Sequence, residues 1–179
     1  MKISRLLAIV TGPLCLASLA GAQDLRQPVT QKNDPPRPFL QTNCTHGAGT
    51  NLCIPLDNTF QVVTFDGVGG SGDDDTLAIN LPFTFDLFGT SWNQVFINNN
   101  GNISFGVAFP DFTSTGFPVN GFPMVAPFWA DVDTRDLASG VVYYKVSPTH
   151  MTVIWDEVGY YQTHSDKKNT FEVTISNGN

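Results

Sequence analysis

The sequence predicts an all-β fold: an antiparallel β-sandwich-like domain with long loops, preceded by a signal peptide and a Pro-rich linker. Three observations predict it. Apolar and polar residues alternate with a period of two in several short runs, Gly, Pro and Asn punctuate those runs, and no window sustains a helical period. Fourteen Phe and three Trp among 179 residues supply the apolar mass for a core between two sheets.

Residues 1–22 read as a secretory signal. Lys2 and Arg5 form a basic start, an apolar run extends from Leu6 to about Ala20, and Ala20-Gly21-Ala22 places small residues where a signal peptidase reads them. The run is too short for a membrane span and is interrupted by Gly12 and Pro13, so no membrane insertion is expected after cleavage. Residues 23–43 hold Pro28, Pro35, Pro36 and Pro38 among polar side chains and read as a disordered linker, because proline removes backbone donors and favours extended chain. The domain proper is assigned to 44–179.

Within it, Thr170–Ser176 alternates most cleanly, with Phe171, Val173 and Ile175 on one face and Glu172, Thr174 and Ser176 on the other. Met151–Asp156 alternates in the same way, and Gly140–Val146 is β-branched and aromatic throughout. Earlier strands are expected at Phe60–Phe65, Leu77–Leu87 (broken at Pro82), Trp92–Asn98, Asn102–Gly106 and Met124–Val132. Asn98-Asn99-Asn100-Gly101 reads as a hairpin turn, since Asn and Gly accept positive φ at low cost. The stretch Asp66–Asp75 is glycine-rich and acidic and reads as a loop, and Phe109–Phe122 reads as a flap over the sandwich edge.

Removing the signal takes the net charge from −7 to −9, with the remaining basic residues scattered. An acidic chain without a basic stripe repels phosphate backbones and anionic lipid, so nucleic acid is not an expected partner. Cys44 and Cys53 remain as a pair. In an oxidising compartment a local disulfide is the simplest reading, contributing about 2–3 kcal/mol for so short a loop. A zinc site would need more ligands than His46 adds, and two free thiols are the third reading.

From Leu81 the sequence becomes more specific. LPFTFDLFG runs into WNQVFINNNGNISF, then come MVAPFWADVDTR from Met124, GVVYY from Gly140, VIWDEVGY from Val153, and NTFEV from Asn169. In that order these segments resemble the nidogen-like (NIDO) domain family, most clearly over 77–179. The resemblance implies a secreted, extracellular module of cell-matrix adhesion with no catalytic role and no required cofactor. Members of that family usually carry Gln where Glu172 stands. Their pattern continues past the Phe171 strand, so the expectation is that the C-terminal part of the domain is missing after Gly178-Asn179.

Several residues are candidates for chemistry. Asp131, Asp133 and Asp136 offer hard oxygen ligands to calcium, although the segment lacks the full ladder of a calcium loop and also reads as a capped strand end. Asp73, Asp74 and Asp75 with Asp66 are a second acidic candidate. A two-carboxylate hydrolase would draw on Asp131 with Asp156 or Glu157. Tyr160 and Tyr161 suit an exposed contact loop, because tyrosine offers large area at low entropic cost. Trp129 and Trp155 are expected in the core. Asn43 and Asn102 head N-x-S/T sequons, usable if the chain passes through a glycosylating pathway. The expected function is a non-catalytic adhesion or matrix-binding module, its partner a matrix or cell-surface protein or glycan. The alternative is a calcium-assisted, carbohydrate-binding lectin-like domain.

Overall fold

The computed structural model describes residues 53–177, except 66, 67 and 70, together with a two-residue strand at Leu6–Leu7. The rest of the expected signal, the linker, Asn43, Cys44, Asp66 and Gly178-Asn179 lie outside the described residues. Among the described residues there is no helix, and the strands form two antiparallel sheets and a small ribbon.

In chain order the strands are β1 (Leu6–Leu7), β2 (Gln61–Val62), β3 (Thr64–Phe65), β4 (Val68–Gly69), β5 (Thr76–Leu87), β6 (Thr90–Asn98), β7 (Asn102–Ser104), β8 (Met124–Val125), β9 (Val142–Val146), β10 (His150–Tyr160) and β11 (His164–Ser176). One sheet runs β1-β11-β10-β9-β2, the other β5-β6-β7-β8, and β3 and β4 pair as a ribbon. The inward faces meet in one core. Phe83, Phe85, Val95, Ile97 and Ile103 come from the second sheet, and Val142, Met151, Val153, Trp155, Phe171 and Val173 from the first. Trp155 stacks on Phe171 at 5.0 Å, and Phe85 on Phe105 at 5.3 Å. Trp155 sits in the core as expected, and its Nε1 donates to the Asn99 carbonyl at 3.0 Å, tying the first sheet to the β6–β7 turn.

β5 is continuous through Pro82, where a break was expected. The ladder absorbs the proline in a register shift between Asn80 and Phe85, with Pro82 exposed and Leu81, Phe83, Phe85 and Leu87 still facing inward.

Two further expectations need correction. Met124–Val132 is a strand only at Met124–Val125. From Phe128 the run is held by the turn, not by a ladder: Phe128 N donates to Gly101 O at 3.4 Å and Ala130 N to Asn100 O at 3.3 Å. Val132 N donates to Asn100 Oδ1 at 2.7 Å, and Asn99 Nδ2 donates to the Val132 carbonyl. Gly101 is required here, because its φ is +79° and a Cβ would stand 1.8 Å from the Phe128 carbonyl oxygen.

The second concerns Glu172, placed on the strand face opposite Phe171, Val173 and Ile175: that polar face is not left to solvent, and Glu172 is 1% exposed. It pairs across the ladder with Ile154, and that face is covered by the segment entering the domain, with Ile54, Leu56 and Phe60 packed around Ile154 and Tyr143. Glu172 Oε1 accepts from Cys53 N at 2.9 Å, and Oε2 from Ile54 N at 3.2 Å. The carboxylate thus satisfies two donors of the covering segment. Cys53 itself is disulfide-bonded.

Candidate functional site

Four segments distant in sequence converge on one end of the domain: the acidic loop before β5, the Asn-rich β6–β7 turn, the long loop between β7 and β8, and the run 128–136. The β10–β11 turn borders them. Each junction is a hydrogen bond. Gly72 N donates to Thr134 Oγ1 and Thr134 N to Gly72 O, both at 2.9 Å. Asn100 Nδ2 donates to Asp74 Oδ1 and to the Pro110 carbonyl, both at 2.8 Å. Tyr161 N donates to the Asp131 carbonyl at 3.2 Å. Asn98, Asn99, Asn100 and Asn102 are all fully buried and form the polar centre of this junction.

The predicted trio of Asp131, Asp133 and Asp136 does not assemble. Asp133 is fully buried and taken up by Arg135, whose Nε donates to Oδ1 at 2.9 Å and whose terminal nitrogen lies 2.6 Å from Oδ2. Thr163 N adds a bond to Oδ2 at 2.9 Å. Burial pushes the Asp133 carboxyl up, but the Arg135 side chain and the backbone donors of Arg135 and Thr163 outweigh it and hold it below the usual carboxylate range. Asp136 caps a turn, accepting from Ala138 N at 2.7 Å and from Ser165 Oγ at 2.8 Å. Asp131 instead joins the other acidic candidate. One carboxylate oxygen each from Asp73, Asp74 and Asp131 lie within 4.8 Å of one another. Burial and then the neighbouring carboxylates raise the pKa of both Asp73 and Asp131, with Arg135, 2.7 Å from Asp73, offering partial relief.

The hydrolase candidates sit on different elements, Asp131 in the run 128–136 and Asp156 and Glu157 on β10. Asp131 is perturbed by Asp74, Asp133 and Arg135, whereas Asp156, pushed up by burial and by Glu157, feels Lys168.

Of the contact-loop pair, Tyr161 is 56% exposed beside Asp131. Tyr160 is half-buried, stacked on His164 at 5.0 Å with its hydroxyl donating to Asp166 at 2.8 Å. Asn102 is fully buried, its Oδ1 accepting from Asn98 Nδ2 at 2.7 Å, which leaves no room for a glycan on the folded domain.

Trp129, expected in the core, lies half-buried at the surface. Phe109 meets it edge-on at 5.4 Å and Phe117 at 6.3 Å, Phe109 packs on Phe122 at 4.7 Å, and Trp129 Nε1 donates to the Asp111 carbonyl at 2.8 Å. Beside them Phe112 is 47% and Phe117 61% exposed. The loop read as a flap is therefore an aromatic surface standing next to the acidic cluster. The signal was in the sequence: Pro123 and Pro127 bracket the short strand before Trp129 and deny it a longer ladder.

Comparison with known proteins follows this geometry. A family model described as NIDO related matches residues 53–179. Nidogen of Drosophila melanogaster is 27% identical over an alignment covering 58% of this chain and 10% of that protein. Alpha-tectorin is 42% identical in Homo sapiens and 40% in Mus musculus, each covering 42% of this chain and 3% of the tectorin. The chain thus spans a tenth or less of the length of these relatives. No solved structure matches it.

Proposed function

Given that this chain belongs to the NIDO-related family, we propose that it is a secreted, non-catalytic module that binds a partner in the extracellular matrix or on the cell surface. Likeness to nidogen and alpha-tectorin supports that setting. The observation that carries the binding role is the exposure of Phe112, Phe117 and Tyr161 in the loops that meet beside the buried asparagine junction; Phe88 and Leu137 are also exposed, but singly. Large aromatics held at the surface by a rigid scaffold are what binding loops present. Among the described residues no helix is long and apolar enough to cross a membrane. The test is solid-phase binding of the secreted chain to immobilised purified matrix proteins. Saturable capture by at least one is expected, and turnover of a glycan library with no capture refutes the reading.

A second reading is a calcium-assisted, carbohydrate-binding domain, favoured by the three carboxylate oxygens of Asp73, Asp74 and Asp131 within 4.8 Å. Calorimetric titration with calcium, followed by a glycan array, tests it. A flat titration and an array without hits remove it.

A further inference from the structure

We propose that the aromatic surface made by Phe112, Phe117 and Trp129, with Asp74 and Asp131 at its rim, is a docking face for a protein segment that presents arginine or lysine beside an aliphatic side chain. The inference deepens the matrix-binding reading and rests on it. Two independent features of the face point to this chemistry.

The first is the apolar platform. Phe112 and Phe117 are exposed; the stretch 107–111 leading to them is fixed from below, and Phe117 meets Trp129 edge-on. Phe109 N donates to Asn98 Oδ1 at 3.0 Å, Ser104 Oγ to the Val107 carbonyl at 2.6 Å, and Asn100 Nδ2 to the Pro110 carbonyl at 2.8 Å. Trp129 braces the loop from the other side through the Asp111 carbonyl. A face held in shape at Trp129 and along 107–111 loses less entropy when a partner docks, and aromatic side chains are the usual anchors of such interfaces.

The second is charge. Asn100 Nδ2 bridges the aromatic loop and Asp74 with two 2.8 Å bonds, and Asp131 follows Trp129 by two residues. Asp131 and Asp73 are crowded by other carboxylates, and Arg135 is divided between Asp73 and the buried Asp133. A second cation arriving at the rim relieves that crowding, and its alkyl stem lies along the aromatic rings. A partner bearing carboxylates meets repulsion at the same place.

The test uses the secreted full chain and three immobilised synthetic peptides of equal length, alternating leucine with arginine, lysine or glutamate. Binding to the arginine and lysine peptides, weakening as salt rises, and none to the glutamate peptide is expected. The double variant F112S/F117S, truncated at exposed positions and checked for an unchanged urea midpoint, should bind the arginine peptide at least about tenfold more weakly. D74N/D131N should weaken it and flatten the salt dependence. Equal capture of all three peptides, capture of none, undiminished binding by F112S/F117S, or binding abolished by EDTA each overturns the proposal. The same variant on the matrix panel separates the two readings. Matrix capture equal to wild type removes the face and leaves the matrix role standing. Peptide selectivity without any matrix capture does the reverse.

Discussion

Glu172→Gln is expected to stabilise the protein at pH 8 and to destabilise it slightly, by less than about 1 kcal/mol, near pH 4.5. Burial raises the Glu172 carboxyl from 4.5 to about 7, against the opposing pull of the Ile54 and Cys53 backbone donors. The folded state therefore binds the proton more tightly than the unfolded chain does. The Glu172 contribution to stability is most favourable below pH 4.5, falls as pH rises through the interval to 7, and above it carries the whole cost of a buried charge. A displacement of that size corresponds to about 3 kcal/mol. Glutamine keeps an acceptor for Cys53 N or Ile54 N but adds an amide group in a dry place, which takes back about 1 kcal/mol. The variant should then exceed wild type by about 2 kcal/mol at pH 8. Urea denaturation followed by tryptophan fluorescence at both pH values measures this directly. A difference that is the same at pH 4.5 and pH 8, or a variant no more stable at pH 8, would falsify the argument.

Other substitutions probe the junction beneath the docking face. Arg135→Ala leaves Asp133 buried without its cation and should cost about 3 kcal/mol at pH 7. Asp133's folded pKa is depressed by Arg135, so that stabilisation exists above the unfolded carboxylate range and disappears on acidification. The gap between variant and wild type in urea midpoint should close below about pH 4. Gly101→Ala puts a Cβ 1.8 Å from the Phe128 carbonyl oxygen at a φ of +79°. A fall in thermal midpoint of at least about 10 °C, or failure to accumulate as folded protein, is expected. Trp155→Phe empties part of the core and removes the bond to the Asn99 carbonyl, at a cost of about 2–3 kcal/mol by urea titration. An unchanged midpoint would show that the β6–β7 turn does not depend on it.

Sequence and structure agree where the controlling contacts are local. β9, β10 and β11 follow from alternation, and the Asn-Gly turn follows from the φ preferences of its own residues. The disagreements arise where the deciding partner is far along the chain. Glu172 occupies a polar position in an alternating strand, and nothing near it announces that a segment beginning 119 residues earlier covers its face. The acidic cluster takes Asp73 and Asp74 from one loop and Asp131 from another, so spacing within either loop says nothing of their meeting. Asp133 and Asp136 look equivalent to Asp131 in sequence; Arg135 and a local turn remove them. Trp129 resembled a core residue because its neighbours are apolar, yet buried asparagine side chains hold that run, and no strand ladder draws it inward.

The hold of Glu172 on Cys53 and Ile54 also decides how the domain meets tension. A pull reaching Cys53 from the N-terminal side is passed at that point to β11, across the bonds to the carboxylate. β2 and β9, which pair over only Gln61–Val62, are shielded from being unzipped one bond at a time. The pull meets first the bonds to the Glu172 carboxylate and the packing of Ile54 against Ile154. One side chain thereby sets the direction in which the sheet is loaded, and its protonation state sets how firmly the pull is transmitted.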